Sequence, residues 1–166
     1  MQWSFSSLSN DIMKLLCDQM LGSLATWLRC FGFDTKYASQ EQTDGDLLQQ
    51  AQVQHQTLIT RDKTLIQRAD KQGIKTIPIS TDDLDDQLII VLSQIPIDQT
   101  SFFTRCLQCN TILQPVTKEQ ASLHLPVKVR EIQQEFYYCP TCKKYYWKGS
   151  HYNNMVQKME QLISCL

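Results

Sequence analysis

The chain has 166 residues and a mass of 19.3 kDa, with 42% hydrophobic and 20% charged residues, which is enough to bury one sizeable core and excludes extended disorder. The longest unbroken apolar run, Leu88 to Leu92, is far short of the roughly 20 residues a bilayer requires, and polar serines follow Met1, so the expectation is a soluble, cytoplasmic protein that is not secreted. A net charge of −1 does not suggest a nucleic-acid binder as a whole, but residues 1–101 carry −5 and residues 102–166 carry +4, so one half suits cations and the other phosphate unless both are ordinary solvated surface.

Ile12 to Cys17 reads as a buried strand; Leu21, Leu24, Ala25, Leu28 and Phe31 then recur at helical spacing and stop at Gly32. Thr35 to Ala38 is a second strand, Asp44 to Val53 a second helix, and Thr57 to Thr60 a third strand. Thr64 to Lys71 is a helix stopped by Gly73, Lys75 to Ile79 a fourth strand, and Leu84 to Leu92 a closing helix. Strands alternating with helices predict an α/β domain over residues 12–98, a parallel sheet covered on both faces with right-handed crossovers. Ile95-Pro96 and Gln99-Thr100-Ser101 break the pattern and mark a boundary. Residues 102–166 hold shorter elements: aromatic strands Phe136 to Tyr138 and Tyr145 to Trp147, then a helix from about Asn153 to Ile163.

Four of the seven cysteines form two C-x-x-C pairs, Cys106 with Cys109 and Cys139 with Cys142, separated by 29 residues. A disulfide framework spreads its cysteines along the chain, whereas two tight knuckles are what four thiolates need to wrap one tetrahedral zinc ion. A redox pair is the alternative. Four thiolates leave no open position for water, so the zinc is expected to be structural. Cys17, Cys30 and Cys165 sit among apolar neighbours and read as small core residues, and a reducing compartment is implied.

In open parallel sheets the functional crevice lies beyond the carboxyl ends of the strands. Asp18 follows the first strand, Asp62 follows the third, and Asp44 with Asp46 opens the second helix. Carboxylates brought to one edge repel unless a divalent cation shares their charge, so the group is a candidate Mg²⁺ or Mn²⁺ site. Two such ions about 4 Å apart would polarise a phosphodiester and bind the attacking water. Each acid also has a plainer reading. Asp62 suits a helix N-cap, Asp46 stands at capping-box spacing from Thr43, and Asp83 stands likewise from Ser80.

The run from Leu16 to Arg29, LCDQMLGSLATWLR, continuing Phe31-Gly32-Phe33-Asp34-Thr35, resembles the opening of the mut-seven C-terminal RNase domain family, a PIN-type nuclease group with an appended zinc ribbon. Asp44-Gly45-Asp46-Leu47-Leu48 is similar to its acidic helix start, and Leu58-Ile59-Thr60-Arg61-Asp62 to its LLTRD stretch. Arg105 to Asn110 and Tyr146 to Tyr152 are similar to its ribbon, so the resemblance covers Ile12 to Met159. It implies a PIN-like three-layer α/β/α domain followed by a small zinc-ribbon domain, with Mg²⁺ or Mn²⁺ bound by acids that hydrolyse RNA. Asp18, Asp44 and Asp62 match the acidic positions, and Asp46 stands where the family often has Glu. PIN nucleases commonly add a fourth acid after the fourth strand; Asp82 and Asp83 both follow that strand here, and the resemblance does not choose between them.

Under this reading a metal-bound water is deprotonated and attacks phosphorus in line, with Arg61 and Arg29 as candidate phosphate contacts. Lys143, Lys144 and Lys148 interleave with Tyr145, Tyr146 and Trp147, an arrangement that suits single-stranded RNA through base stacking and phosphate neutralisation. Alternation equally suits a strand with Tyr145 and Trp147 turned into a small core, leaving Tyr146 outside. His55 and His124 lack partners at metal spacing; His151 is placed to touch substrate or to cap the last helix. Two rivals stand beside the ribonuclease: a catalytically inactive zinc-ribbon RNA-binding adaptor, and a receiver-like phosphoacceptor, which would need a Lys after its last strand.

Overall fold

The computed structural model describes residues 13–166, so Ile12, expected to open the first strand, lies outside the described residues. Contacts divide the chain into two compact units, with the division between Asn110 and Thr111. No helix of the described residues is long and apolar enough to cross a membrane.

In the first unit β1 (Lys14–Cys17), β2 (Asp34–Tyr37), β3 (Thr57–Thr60) and β4 (Thr76–Pro78) form an all-parallel sheet in the order β2-β1-β3-β4. The crossovers contain α1 (Gly22–Cys30), α2 (Asp44–Val53) and α3 (Lys63–Lys71), and α4 (Leu84–Leu92) follows β4. The two central strands are buried on both faces, which is why Leu15, Leu16, Cys17 and the whole of Thr57 to Thr60 are shielded from solvent. Leu16 and Leu58 share a core with Leu47, Leu48 and Ala51 of α2 and with Leu65 and Ala69 of α3. Alternation turns Leu15 and Cys17 to the opposite face, and α1 packs beside α4. Truncating Leu16 or Leu58 to Ala would cost about 2–5 kcal/mol.

The end of α1 anchors the segment that leaves the α/β core. Gly32 has φ +84°, and a Cβ there would lie 2.3 Å from the Ser101 carbonyl oxygen, so only glycine lets this turn and the segment near Ser101 meet. Phe31 and Phe102 then pack edge to face at 5.4 Å. Arg29 is buried and donates from Nε to the Thr35 carbonyl at 2.9 Å, and from Nη1 to the Leu107 and Gln108 carbonyls at 2.9 and 3.0 Å. Arg105 donates to the Gly32 and Asn110 carbonyls, both at 3.1 Å. The Asn110 amide ties Asp34 to the Thr35 N–H. These bonds fasten the first cysteine pair to β2.

The second unit holds an antiparallel sheet in the order β5-β6-β7, formed by β5 (Gln114–Val116), β6 (Phe136–Cys139) and β7 (Lys144–Trp147). Two short helices, α5 (Lys118–Ser122) and α6 (Val127–Ile132), precede β6, and α7 (Ser150–Ser164) ends the chain. None of β5, α5 and α6 is evident in the sequence pattern, and α7 begins before Asn153 because Gly149 occupies its N-cap. Cys17 and Cys30 are buried as expected, and burial pushes each thiol up to about 12. Cys165 is instead exposed just past the last helical turn, where few elements remain to cover it.

Candidate functional site

Because β1 has β2 on one side and β3 on the other, the loops after β1 and β3 meet at the switch point of the sheet. Cys17 pairs with Ile59, and the Asp18 N–H donates to the Ile59 carbonyl at 3.0 Å, so Asp18 and Thr60 sit side by side. The Thr60 hydroxyl accepts from the Asp62 N–H at 3.0 Å and donates its one proton to Asp18 Oδ2 at 2.7 Å. Gln19 N–H donates to Asp18 Oδ1 at 2.6 Å, which fixes the carboxylate from its other side.

Asp62 is the N-cap of α3; its Oδ1 accepts from the Thr64 and Leu65 N–H groups at 2.7 and 3.1 Å, and its Oδ2 stands outside the cap. Asp44 begins α2, and its Oδ2 accepts from Arg68 Nη1 of α3 at 2.9 Å. Asp18, Asp44 and Asp62, with Met20, Gln42 and Arg61 among their neighbours, line one cleft of about 550 Å³. The oxygens do not converge fully: among the described residues only the cysteine set has three or more metal-ligand atoms within 4.8 Å of one another. Mutual repulsion, the cap on Asp62 and the pull of Arg68 on Asp44 account for the separation. The donor set is hard oxygen, which fits Mg²⁺ or Mn²⁺, since these ions keep several waters and need few protein carboxylates.

The other expected acids are engaged elsewhere. Asp46 closes the capping box: its Oδ2 accepts from Thr43 N and Oγ1 at 2.8 and 2.7 Å, and its own N–H donates to Thr43 Oγ1 at 3.3 Å. The Thr43 hydroxyl and N–H hold its carboxyl below the usual carboxylate range. Asp46 is therefore the cap partner of Thr43 in place of the expected cation ligand, and it does not line the cleft. Asp83 caps α4 itself, accepting from the Asp85 and Asp86 N–H groups at 2.9 and 3.0 Å, and is not the partner of Ser80. Asp82 pairs with Arg61, whose side chain lines the cleft. Arg29 corrects the expectation of a phosphate contact, because its buried guanidinium is held by three carbonyl oxygens. Two residues of the site were not singled out by the sequence: Thr60, the polar residue that closes β3 two positions before an acid, and Arg68, whose partner is remote in the chain.

Two knuckles of like geometry carry the four sulfurs. Asn110 N donates to the Cys106 carbonyl at 2.9 Å and Lys143 N to the Cys139 carbonyl at 2.8 Å, with Asn110 at φ 69° and Lys143 at φ 56°. A left-handed residue just after each pair turns the chain so that both thiols of the pair face one point. The Cys142 N–H donates to Cys139 Sγ at 3.3 Å. All four sulfurs lie within 4.8 Å of one another. A tetrahedral zinc with Zn–S bonds of about 2.3 Å asks for sulfurs roughly 3.8 Å apart, so a set of four thiols gathered this closely fits zinc.

On β6 and β7 the register pairs Phe136 with Trp147 and Tyr138 with Tyr145, placing all four on one face. Tyr145 packs against Tyr138 at 4.9 Å and stacks on His124 at 5.3 Å, so it belongs to the ribbon's own packing. Tyr146 turns to the other face, opposite Tyr137. Lys143 and Lys144 are exposed, Lys148 pairs with Glu135, and His151 is exposed in the first turn of α7 without capping it. His55 lies in the exposed turn after α2 at φ 52°.

The Mut7-C RNAse domain family matches the chain over residues 13–159. No curated protein and no solved structure matches it.

Proposed function

The chain belongs to the Mut7-C RNAse domain family, and from that membership and the acid-lined cleft we propose that it is an Mg²⁺- or Mn²⁺-dependent ribonuclease hydrolysing RNA phosphodiester bonds. The observation that supports this most directly is the Thr60 hydroxyl, which ties Asp18 Oδ2 to the Asp62 backbone at the switch point of the sheet. Such a cation, when bound, would polarise the phosphodiester and supply an attacking water of lowered pKa. Asp18, Asp44 and Asp62 would hold it, Asp18 with both oxygens already oriented by Thr60 and Gln19. Arg61 lines the same cleft, and its pairing with the exposed Asp82 is weak enough for a phosphate to displace. No side-chain nucleophile is required.

Residues 12–98 would form the nuclease domain and residues 102–166 the zinc ribbon with its C-terminal helix. The ribbon would hold one structural zinc on Cys106, Cys109, Cys139 and Cys142 and contribute Lys143, Lys144, Tyr146, Lys148 and His151 to single-stranded RNA. The test is Mn²⁺-dependent cleavage of a labelled single-stranded RNA, abolished by Asp18→Asn or Asp62→Asn with RNA affinity retained. An RNA that stays intact while binding the wild-type chain would instead establish a catalytically inactive adaptor.

A further inference from the structure

Met20 stands at the apex of the turn between Asp18 and α1 and is 74% exposed on the lining of the cleft. Large apolar side chains in isolation on a surface are ordinary, but this one is held where it is. On one side, Leu21 is 2% exposed and its N–H donates to the Asp18 carbonyl at 2.9 Å. On the other, Gln19 is pinned through its N–H to Asp18 Oδ1 at 2.6 Å and through its amide to the Ser39 and Gln42 carbonyls at 3.0 and 2.8 Å. Its carbonyl also accepts from the Tyr37 hydroxyl. Gly22 leaves room for that tyrosine, since a Cβ there would lie 3.3 Å from the ring. The turn cannot fold Met20 back onto the core without breaking this set.

A thioether on a backbone pinned in this way, exposed two residues from Asp18, contributes little packing, yet it suits a flat, polarisable partner. Sulfur packs favourably on π-faces, and every nucleobase has such a face once it is unstacked. The groups around it in the cleft are acids that would engage a cation and an arginine that suits a phosphate, so a base next to the reacting phosphate is the part of the substrate left for Met20. We propose that Met20 is a substrate-positioning residue that packs on the unpaired nucleobase adjoining the scissile phosphate, a contact blind to base identity. This rests on the ribonuclease reading above.

The test measures kcat/KM in Mn²⁺ for the full chain and for Met20→Ala and Met20→Leu. The substrates are a labelled single-stranded RNA and a series carrying one abasic nucleotide moved along it. Met20→Ala should lose roughly 3- to 10-fold on the intact RNA, with Met20→Leu recovering much of it. The wild type should suffer a similar loss when the abasic position adjoins the cut, and Met20→Ala should lose nothing further there. Equal cleavage of intact RNA by wild type and Met20→Ala, or an abasic penalty of the same size in both, overturns the assignment and leaves the nuclease standing. Wild-type chain that binds Mn²⁺ but cuts no RNA overturns both. Met20 is exposed, so unchanged melting of the variants identifies any loss as one of substrate contact.

Discussion

Replacing Thr60 by Val preserves its shape and removes the hydroxyl between Asp18 and Asp62. Thr60 is fully buried, so its side chain cannot simply be exchanged for bulk water. The lost bond to a carboxylate is worth about 1.5–3 kcal/mol, and the Asp62 N–H left without its acceptor costs a further ~1–3 kcal/mol. Asp18 and Asp62 are both partly solvated and water can replace part of each bond, so the expected loss of stability is about 2–4 kcal/mol. Thr60→Ser keeps both bonds and gives up one methyl, about 0.8 kcal/mol. The larger consequence is for the cleft. With Oδ2 released, Asp18 is oriented only by Gln19, and a missing orienting partner of this kind lowers metal affinity or activity roughly 10- to 100-fold. Calorimetric Mn²⁺ titration and RNA cleavage, both below the melting transition, should show the loss in the Val variant and near-normal behaviour in the Ser variant. A folded Val variant that binds Mn²⁺ and cleaves RNA like the wild type would refute the positioning argument.

Arg29→Ala should destabilise the chain by about 3–5 kcal/mol in denaturant titration, since three carbonyl oxygens lose their donor and a buried side chain is removed, while the RNA affinity of the folded fraction stays unchanged. Thiol titration at neutral pH should give one fast group in the zinc-loaded chain, the exposed Cys165. Chelation should add the four knuckle thiols, whereas Cys17 and Cys30, with thiols pushed up to about 12 by burial, should react only on unfolding. Tyr146→Ala should weaken single-stranded RNA binding by roughly 5- to 50-fold with little change in melting. Tyr145→Ala should do the reverse, because its ring packs on Tyr138 and His124.

Strand ends were legible where burial was complete. Thr57–Thr60, Asp44–Val53 and Leu84–Leu92 fall where periodicity puts them, because an apolar run covered on both faces or a capped amphipathic stretch leaves little freedom. The short helices between β5 and β6 have no such signature: α5 buries only Ala121 and α6 buries nothing, so no apolar stripe announces them. The capping box at Thr43 and Asp46 is a local pattern and was readable as one, whereas at α4 two polar residues, Ser80 and Asp83, both fit a cap and only the backbone decides between them.

The cysteine set and the acid-lined cleft differ in what assembles them, and this explains why one was plain in the sequence and the other was not. Each cysteine knuckle is closed by its own backbone, through the left-handed Asn110 or Lys143 and one carbonyl bond, so the C-x-x-C spacing already contains the geometry within each pair. Asp18 and Asp62 share one cleft only because β1 pairs with β3, which lets Thr60 bond Asp18 across forty-two positions of chain once the sheet order is set. Asp44 is drawn by Arg68 from another helix, and Arg29 is drawn inward by carbonyl groups that approach from residues 107 and 108. Charge and position along the chain are alike for a phosphate-facing arginine and a buried clamp. The difference lies in which backbone oxygens the folded chain delivers, so arginine roles are the part of such a site that sequence reading gets wrong first.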